Sequence, residues 1–101
     1  MAEWALQRGF QVCVHAIGDR ANKAALDAFE KAEAKYPAQG RVARLRVEHA
    51  QVIAPEDMGR FKALSVIPSM QPTHATSDMY WAQARLGPER IKGAYAWRTL
   101  L

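Results

Sequence analysis

Three histidines, His15, His49 and His74, are the residues of this chain whose type and placement suggest chemistry. Each falls at or just beyond the C-terminal end of a predicted strand. In parallel α/β folds that is where the loops between strand and helix carry active sites. Neutral imidazole is a common zinc ligand, and zinc takes about four ligands at roughly 2.0–2.2 Å. Neighbouring strands lie only ~4.8 Å apart, so imidazoles leaving adjacent strand ends can converge on one ion. A metal held in this way lowers the pKa of its water to about 7 and polarises a carbonyl, the combination that hydrolyses amides and related bonds. His15 and His49 are the candidate metal pair; His74 follows Pro72-Thr73 and reads as a loop residue.

Other polar residues compete for roles. Asp19 reads as a helix N-cap. Glu48 can pair with Arg46 or orient a ligand from behind. Asp78 is a possible carboxylate ligand, although it sits where an N-cap or first-turn acid belongs. Gln71 and Thr73 can line a pocket mouth. Tyr80, Trp81, Tyr95 and Trp97 read as core or interface. Cys13, the single cysteine, reads as a small buried hydrophobe.

The elements that must position these groups alternate. Residues 2–8 read as the end of a helix, stopped by Gly9. Phe10 to Val14 is a short apolar strand. A helix follows, opened by Gly18-Asp19, with Ala25, Leu26, Phe29, Ala32 and Tyr36 on its apolar stripe and Pro37 and Gly40 at its end. A second strand spans roughly 43–48. Pro55 starts a second helix whose core face is Met58, Phe61 and Leu64. A third strand spans about 65–70, weakened by Pro68. From Ser77 onward the chain reads mostly as helix, broken at Gly87-Pro88 and Gly93. Such alternation predicts an α/β fold with three parallel βα units. Facing is left open: alternation puts Gln11, Cys13 and His15 on one side of the first strand and Leu45, Val47 and His49 on one side of the second. Arg44, Arg46 and Glu48 then share the other side, odd for a face packed on helices unless a bulge or a polar barrel interior intervenes.

Length and composition bound the rest. The chain has 101 residues, half of them hydrophobic, and a formal charge of +4. That is one small domain. The basic residues are scattered rather than run together, which argues against nucleic acid as a partner. No apolar run approaches the ~18 residues of a membrane span. A lone cysteine gives no intrachain disulfide and no signal peptide is visible, so the expectation is a cytoplasmic protein without a membrane partner. Three parallel strands leave two open edges, and an eight-stranded barrel takes about 250 residues. The chain therefore reads as part of a larger barrel; a three-stranded unit completed by homo-oligomerisation through those edges is the alternative.

Several motifs together resemble the amidohydrolase superfamily, more narrowly amidohydrolase family 3, the branch with N-substituted formamide deformylase-like enzymes. They are His15-Ala16-Ile17-Gly18-Asp19-Arg20-Ala21, Val47-Glu48-His49-Ala50-Gln51, and Ser69-Met70-Gln71-Pro72-Thr73-His74-Ala75-Thr76-Ser77-Asp78-Met79. The tail from Arg85 to Arg90 and from Ala94 to Arg98 continues the likeness, which covers nearly the whole chain. It implies a partial TIM-like (β/α)8 metal-dependent hydrolase barrel, approximately strands five to seven with their helices over residues 1–101. By likeness His15 and His49 are metal ligands ending the fifth and sixth strands, and His74, after the seventh, faces a small amide-like substrate. The implied reaction is hydrolysis of non-peptide carbon–nitrogen bonds by metal-activated water, with zinc or a related divalent ion. The family's His-x-His pair, its fourth-strand acidic or carboxylated-lysine ligand and its eighth-strand aspartate are not in this sequence. The chain by itself is therefore expected to be inactive.

Overall fold

A computed structural model describes residues 1–101. Three short strands form one parallel sheet in the order β1-β2-β3: β1 (Cys13–Ala16), β2 (Arg46–His49) and β3 (Ile67–Ser69). The helices are α1 (Ala2–Gln7), α2 (Asp19–Lys35), α3 (Pro37–Val42), α4 (Pro55–Ala63), α5 (Thr73–Asp78), α6 (Ala82–Arg90) and α7 (Trp97–Leu100), with a 3-10 turn at Ile91–Gly93. The α/β class and the parallel βα order agree with the sequence reading. No helix is long and apolar enough to cross a membrane.

Several boundaries differ, each for a physical reason. β1 starts at Cys13 rather than Phe10, and Phe10 stands exposed beside Trp4, their rings stacked at 6.4 Å. α2 ends at Lys35, just before Pro37 as expected, but Pro37 also begins a short helix, α3, because proline lacks only an N–H that a first turn leaves free anyway. Pro68 lies within β3, pairing only with Val47 of β2 and on no further strand of this chain, which is where proline is tolerated. Asp19 is the first residue of α2 and not its cap, which is Gly18.

One face of the sheet is packed and the other is not. Ala16 and Val47 point into a core with Leu6, Leu26, Phe29, Leu45, Ile53, Phe61 and Val66. Burying a side chain such as Leu26 or Phe29 contributes about 1.5–3 kcal/mol, so α2 supplies much of what holds β1 and β2 in place. The register pairs Cys13 with Arg46 and His15 with Glu48, so these four residues share the opposite face. Cys13 is exposed there. The expectation of a buried cysteine is thus overturned: its side chain alternates away from the helix layer.

The polar face of β2 is answered the same way. Arg46 and Glu48 lie on the uncovered side, where Arg46 donates to both Glu48 carboxylate oxygens at 2.9 and 3.2 Å and to Ser69 Oγ at 2.7 Å. A polar, uncovered face in continuous register, rather than a bulge, accounts for the odd patterning.

Candidate metal centre

Alternation along β2 should put His49 with Val47 on the helix side, in register with buried Ala16. Its ring nevertheless lies on the His15 side, the two ring centroids 4.5 Å apart and the planes at 74°. The backbone explains this. His49 has φ +75° and Ala50 φ +46°, left-handed values that L-residues adopt at a cost. The rotation at the strand's last residue swings the imidazole off the pleat. The following loop is held by backbone bonds from Ala50 to Ala16 and from Val52 to Ile17. Such strained positions of about 1–3 kcal/mol persist when the surroundings over-determine them, and they cluster at functional sites.

His74 joins the group from the third unit. Its ring stacks on His49 at 5.6 Å and 25°. It belongs to the first turn of α5, not to a loop as the sequence suggested: Pro72 is the residue before that helix and does not delay it. His74 Nδ1 is buried with no hydrogen-bond partner. The three histidines of the chain therefore meet at one end of the sheet, His15 exposed, His49 and His74 partly buried. No set of three His, Cys, Asp or Glu side chains closes around a metal-sized point within the chain.

The polar neighbours sort into roles that sequence left open. Gln71 presents Oε1 to His49 Nδ1 at 2.9 Å and donates from Nε2 to the Ser69 carbonyl at 3.2 Å. Glu48 stays on Arg46, whose guanidinium holds its carboxyl below the usual range, with Ser69 second. Asp19 is taken by Arg90 at 2.7 Å, which likewise lowers its pKa. Thr73 opens α5 and is exposed. Asp78 is neither a cap nor a first-turn acid: it ends α5, buried, and accepts bonds from Tyr95 Oη at 2.7 Å, Ser77 Oγ at 2.9 Å and the Gln51 amide. The Tyr95 hydroxyl is the main reason its pKa is lowered. Arg20 is exposed, and its backbone N–H donates to Asp19 Oδ1 at 2.9 Å.

Asn22, which the sequence did not single out, and Gly93, read from it only as a helix break, hold the strand-end loops together. Asn22 is fully buried in α2 and its amide donates towards the carbonyls of Ala16, Ile17, Gly18 and Val52 at 2.9–3.3 Å. An asparagine one turn into a helix, on its apolar side, was the available signal. Gly93 packs so closely on the loop after β2 that a Cβ there would lie 1.8 Å from the Ile53 carbonyl oxygen. Ile53 donates to Gly93 and Tyr95 to Gln51 through their backbone N–H groups, so the segment after α6 braces the loop that follows His49.

Comparison with known proteins places this geometry. The model of the amidohydrolase family matches residues 1–101. The protein LONG AFTER FAR-RED 3 of Arabidopsis thaliana is 42% identical over 94 residues, covering 92% of this chain and 16% of that protein. YtcJ of Bacillus subtilis is 41% identical over 97 residues, 96% of this chain and 17% of YtcJ. The crystal structure of a metal-dependent hydrolase from Pyrococcus furiosus superposes with a TM-score of 0.80 at 40% identity, over 98% of this chain and 20% of that one. A second, from Pyrococcus horikoshii, gives 0.78 at 37% identity over 97% of this chain and 18% of that one. The chain thus spans a fifth or less of the proteins it resembles.

Proposed function

The chain belongs to the amidohydrolase family, and on that premise we propose that His15 and His49 hold a divalent cation in a hydrolase acting on non-peptide carbon–nitrogen bonds. Its three-stranded parallel sheet is part of an amidohydrolase barrel, and its solved neighbours are metal-dependent hydrolases. We read the strands as approximately the fifth to seventh of eight. The observation that carries the metal reading is the departure of His49 from the pleat. A left-handed backbone at a strand end is costly, and here it brings one imidazole to 4.5 Å from another. Two nitrogen donors so placed suit zinc, which accepts imidazole readily.

Bound there, the cation would supply Lewis acidity, acidifying water and polarising a carbonyl. What the chain's own residues do is orient and exclude. His15 and His49 present ring nitrogens from adjacent strand ends. His74, stacked on His49, turns an otherwise unpartnered buried Nδ1 into a group for an amide-like substrate. Arg46 and Glu48 neutralise each other below them, leaving the polar face without a net charge that would compete for the cation. Two histidines fall short of the three protein ligands zinc usually has. We therefore hold the isolated chain to be inactive and its parent to be a cytoplasmic enzyme with a small-molecule substrate.

Titration calorimetry with zinc tests this. The 101-residue chain should take up one zinc ion weakly, and His15→Ala and His49→Ala should each weaken that uptake at least about tenfold, as removal of one of few ligands does. Amidase activity with zinc should not exceed that of His49→Ala. Zinc binding indifferent to both substitutions sinks the assignment. The competing reading is a module that dimerises through its open sheet edges and late aromatic residues, favoured by the exposure of Tyr80 and Trp81 between α5 and α6. A stable dimer by size exclusion, unaffected by chelator, would support it.

A further inference from the structure

We infer that Gln71 is a positioning residue for His49, fixing which nitrogen of that imidazole carries the proton. The inference rests on the metal reading only for its consequence; its geometry stands alone. A carboxamide has one donating and one accepting end, and here the two ends are distinguished. Gln71 Nε2 lies 3.2 Å from the Ser69 carbonyl oxygen, which can only accept. Turning the amide over would set oxygen against oxygen. The end that meets His49 is therefore Oε1, at 2.9 Å from Nδ1. An oxygen with only lone pairs to offer needs a hydrogen on that nitrogen. The neutral imidazole of His49 is thus the Nδ1–H form, and Nε2 is left with its lone pair free.

The placement has a second consequence. Ser69 is the last residue of β3 and Gln71 lies two residues on, whereas His49 ends β2. The chain of Ser69 carbonyl, Gln71 amide and His49 ring therefore ties the aim of one strand-end group to the position of the next strand. His49 needs such a tie, because its left-handed backbone has taken it off the pleat that orients ordinary strand side chains. Ligating histidines commonly give their second N–H to a carboxylate, a backbone carbonyl or water. Here a side-chain amide takes that part, itself locked by a backbone carbonyl.

Histidine-selective 15N labelling reads the tautomer directly. In the metal-free protein, at a pH where the ring is neutral, His49 should show a protonated-type Nδ1 and a bare-type Nε2. Gln71→Leu, which keeps the bulk and removes the acceptor, should lose that pattern, whereas Gln71→Glu, which gives up the donor to the Ser69 carbonyl but presents an acceptor to His49 Nδ1, should keep Nδ1 protonated. Zinc affinity should fall about 10–100-fold in Gln71→Leu; a tautomer lost in Gln71→Leu and kept in Gln71→Glu is a split that a packing role alone would not give. A bare Nδ1 in the unsubstituted protein, or a tautomer unchanged by Gln71→Leu, would overturn the inference. If the tautomer is pinned as stated and zinc does not bind at all, the positioning role stands and the metal reading falls.

Discussion

The hydroxyl of Tyr95 does more for this site than its aromatic ring. It donates to Asp78 Oδ2 at 2.7 Å while the Gln51 amide shares the same oxygen, two residues beyond His49. Asp78 is only 9% exposed, so its charge survives burial by these donors, and its folded pKa lies below the unfolded value, chiefly through Tyr95. A carboxyl whose folded pKa is depressed adds stability that is complete above its unfolded value of about 3.9 and is lost as pH falls through the folded value. Tyr95→Phe should therefore lower the urea midpoint clearly at pH 7, and the deficit should shrink below about pH 4 as both proteins protonate Asp78. Paired urea titrations across pH 2–7 check this, roughly spanning the carboxylate range; a deficit constant over that range would show that Tyr95 acts by packing and not through the carboxylate. Asp78 was visible in the sequence as an acid near the site. Its role was not, because the partner that claims it lies 17 residues away, in the turn after the 3-10 segment.

At the scale of elements, the loops after β1 and β2 are fastened to each other rather than to their own strands. Asn22 reaches from α2 to carbonyls on both loops, Ile17 and Gly18 after β1 and Val52 after β2. Asn22→Asp keeps the shape but replaces the donor with oxygen facing carbonyls, and should cost about 3 kcal/mol or more. Asn22→Leu also loses the donor but removes Asn22 Oδ1, a buried oxygen without a partner, and should cost less, about 1–2 kcal/mol. Chemical denaturation of both variants checks the order; negligible losses in both would mean the donor does not matter, and equal losses would mean the added oxygen does not. Gly93→Ala should displace the bracing segment from Ile53 and cost about 2–3 kcal/mol, as overpacking against rigid backbone does. Faster amide exchange at Ile53 and Tyr95 would be its signature, and unchanged exchange would refute the brace. The alternation of β and α was legible because the apolar stripe of α2 differs in period from the short runs at Phe10 to Val14 and at about 65–70, which overlap the observed β1 and β3. The convergence of His15 with His49 was not derivable from period. It depends on one left-handed residue, and histidine carries no local signal for φ +75°. The motif likeness pointed to the pair; only the backbone explains how a residue of the wrong parity arrives there.

The whole molecule has a layer of helices on one side of its sheet and none on the other. Cys13, His15, Arg46, Glu48 and Ser69 share that uncovered side. Only 20 of 101 residues are buried, so the chain's stability leans on the α2 side alone. In a closed barrel the same side would be the interior, where side chains are packed and not washed by solvent. Cys13 reports the difference on the histidine face itself, since it sits two residues before His15 on the same side of the strand. In the 101-residue chain its thiol should react with a bulky maleimide at close to the rate of an unstructured thiol. In a full-length amidohydrolase relative carrying a cysteine at the matching position, the reaction should be slower by about a hundredfold or more, because it waits on opening events of several kcal/mol. Stopped-flow labelling of the two proteins at equal pH compares the rates. Comparable rates would mean that the barrel is open at this strand even when all its units are present, and the uncovered face would then be a surface in its own right. A protected thiol in the short chain would mean instead that this face finds cover by self-association, which sedimentation would register as a dimer.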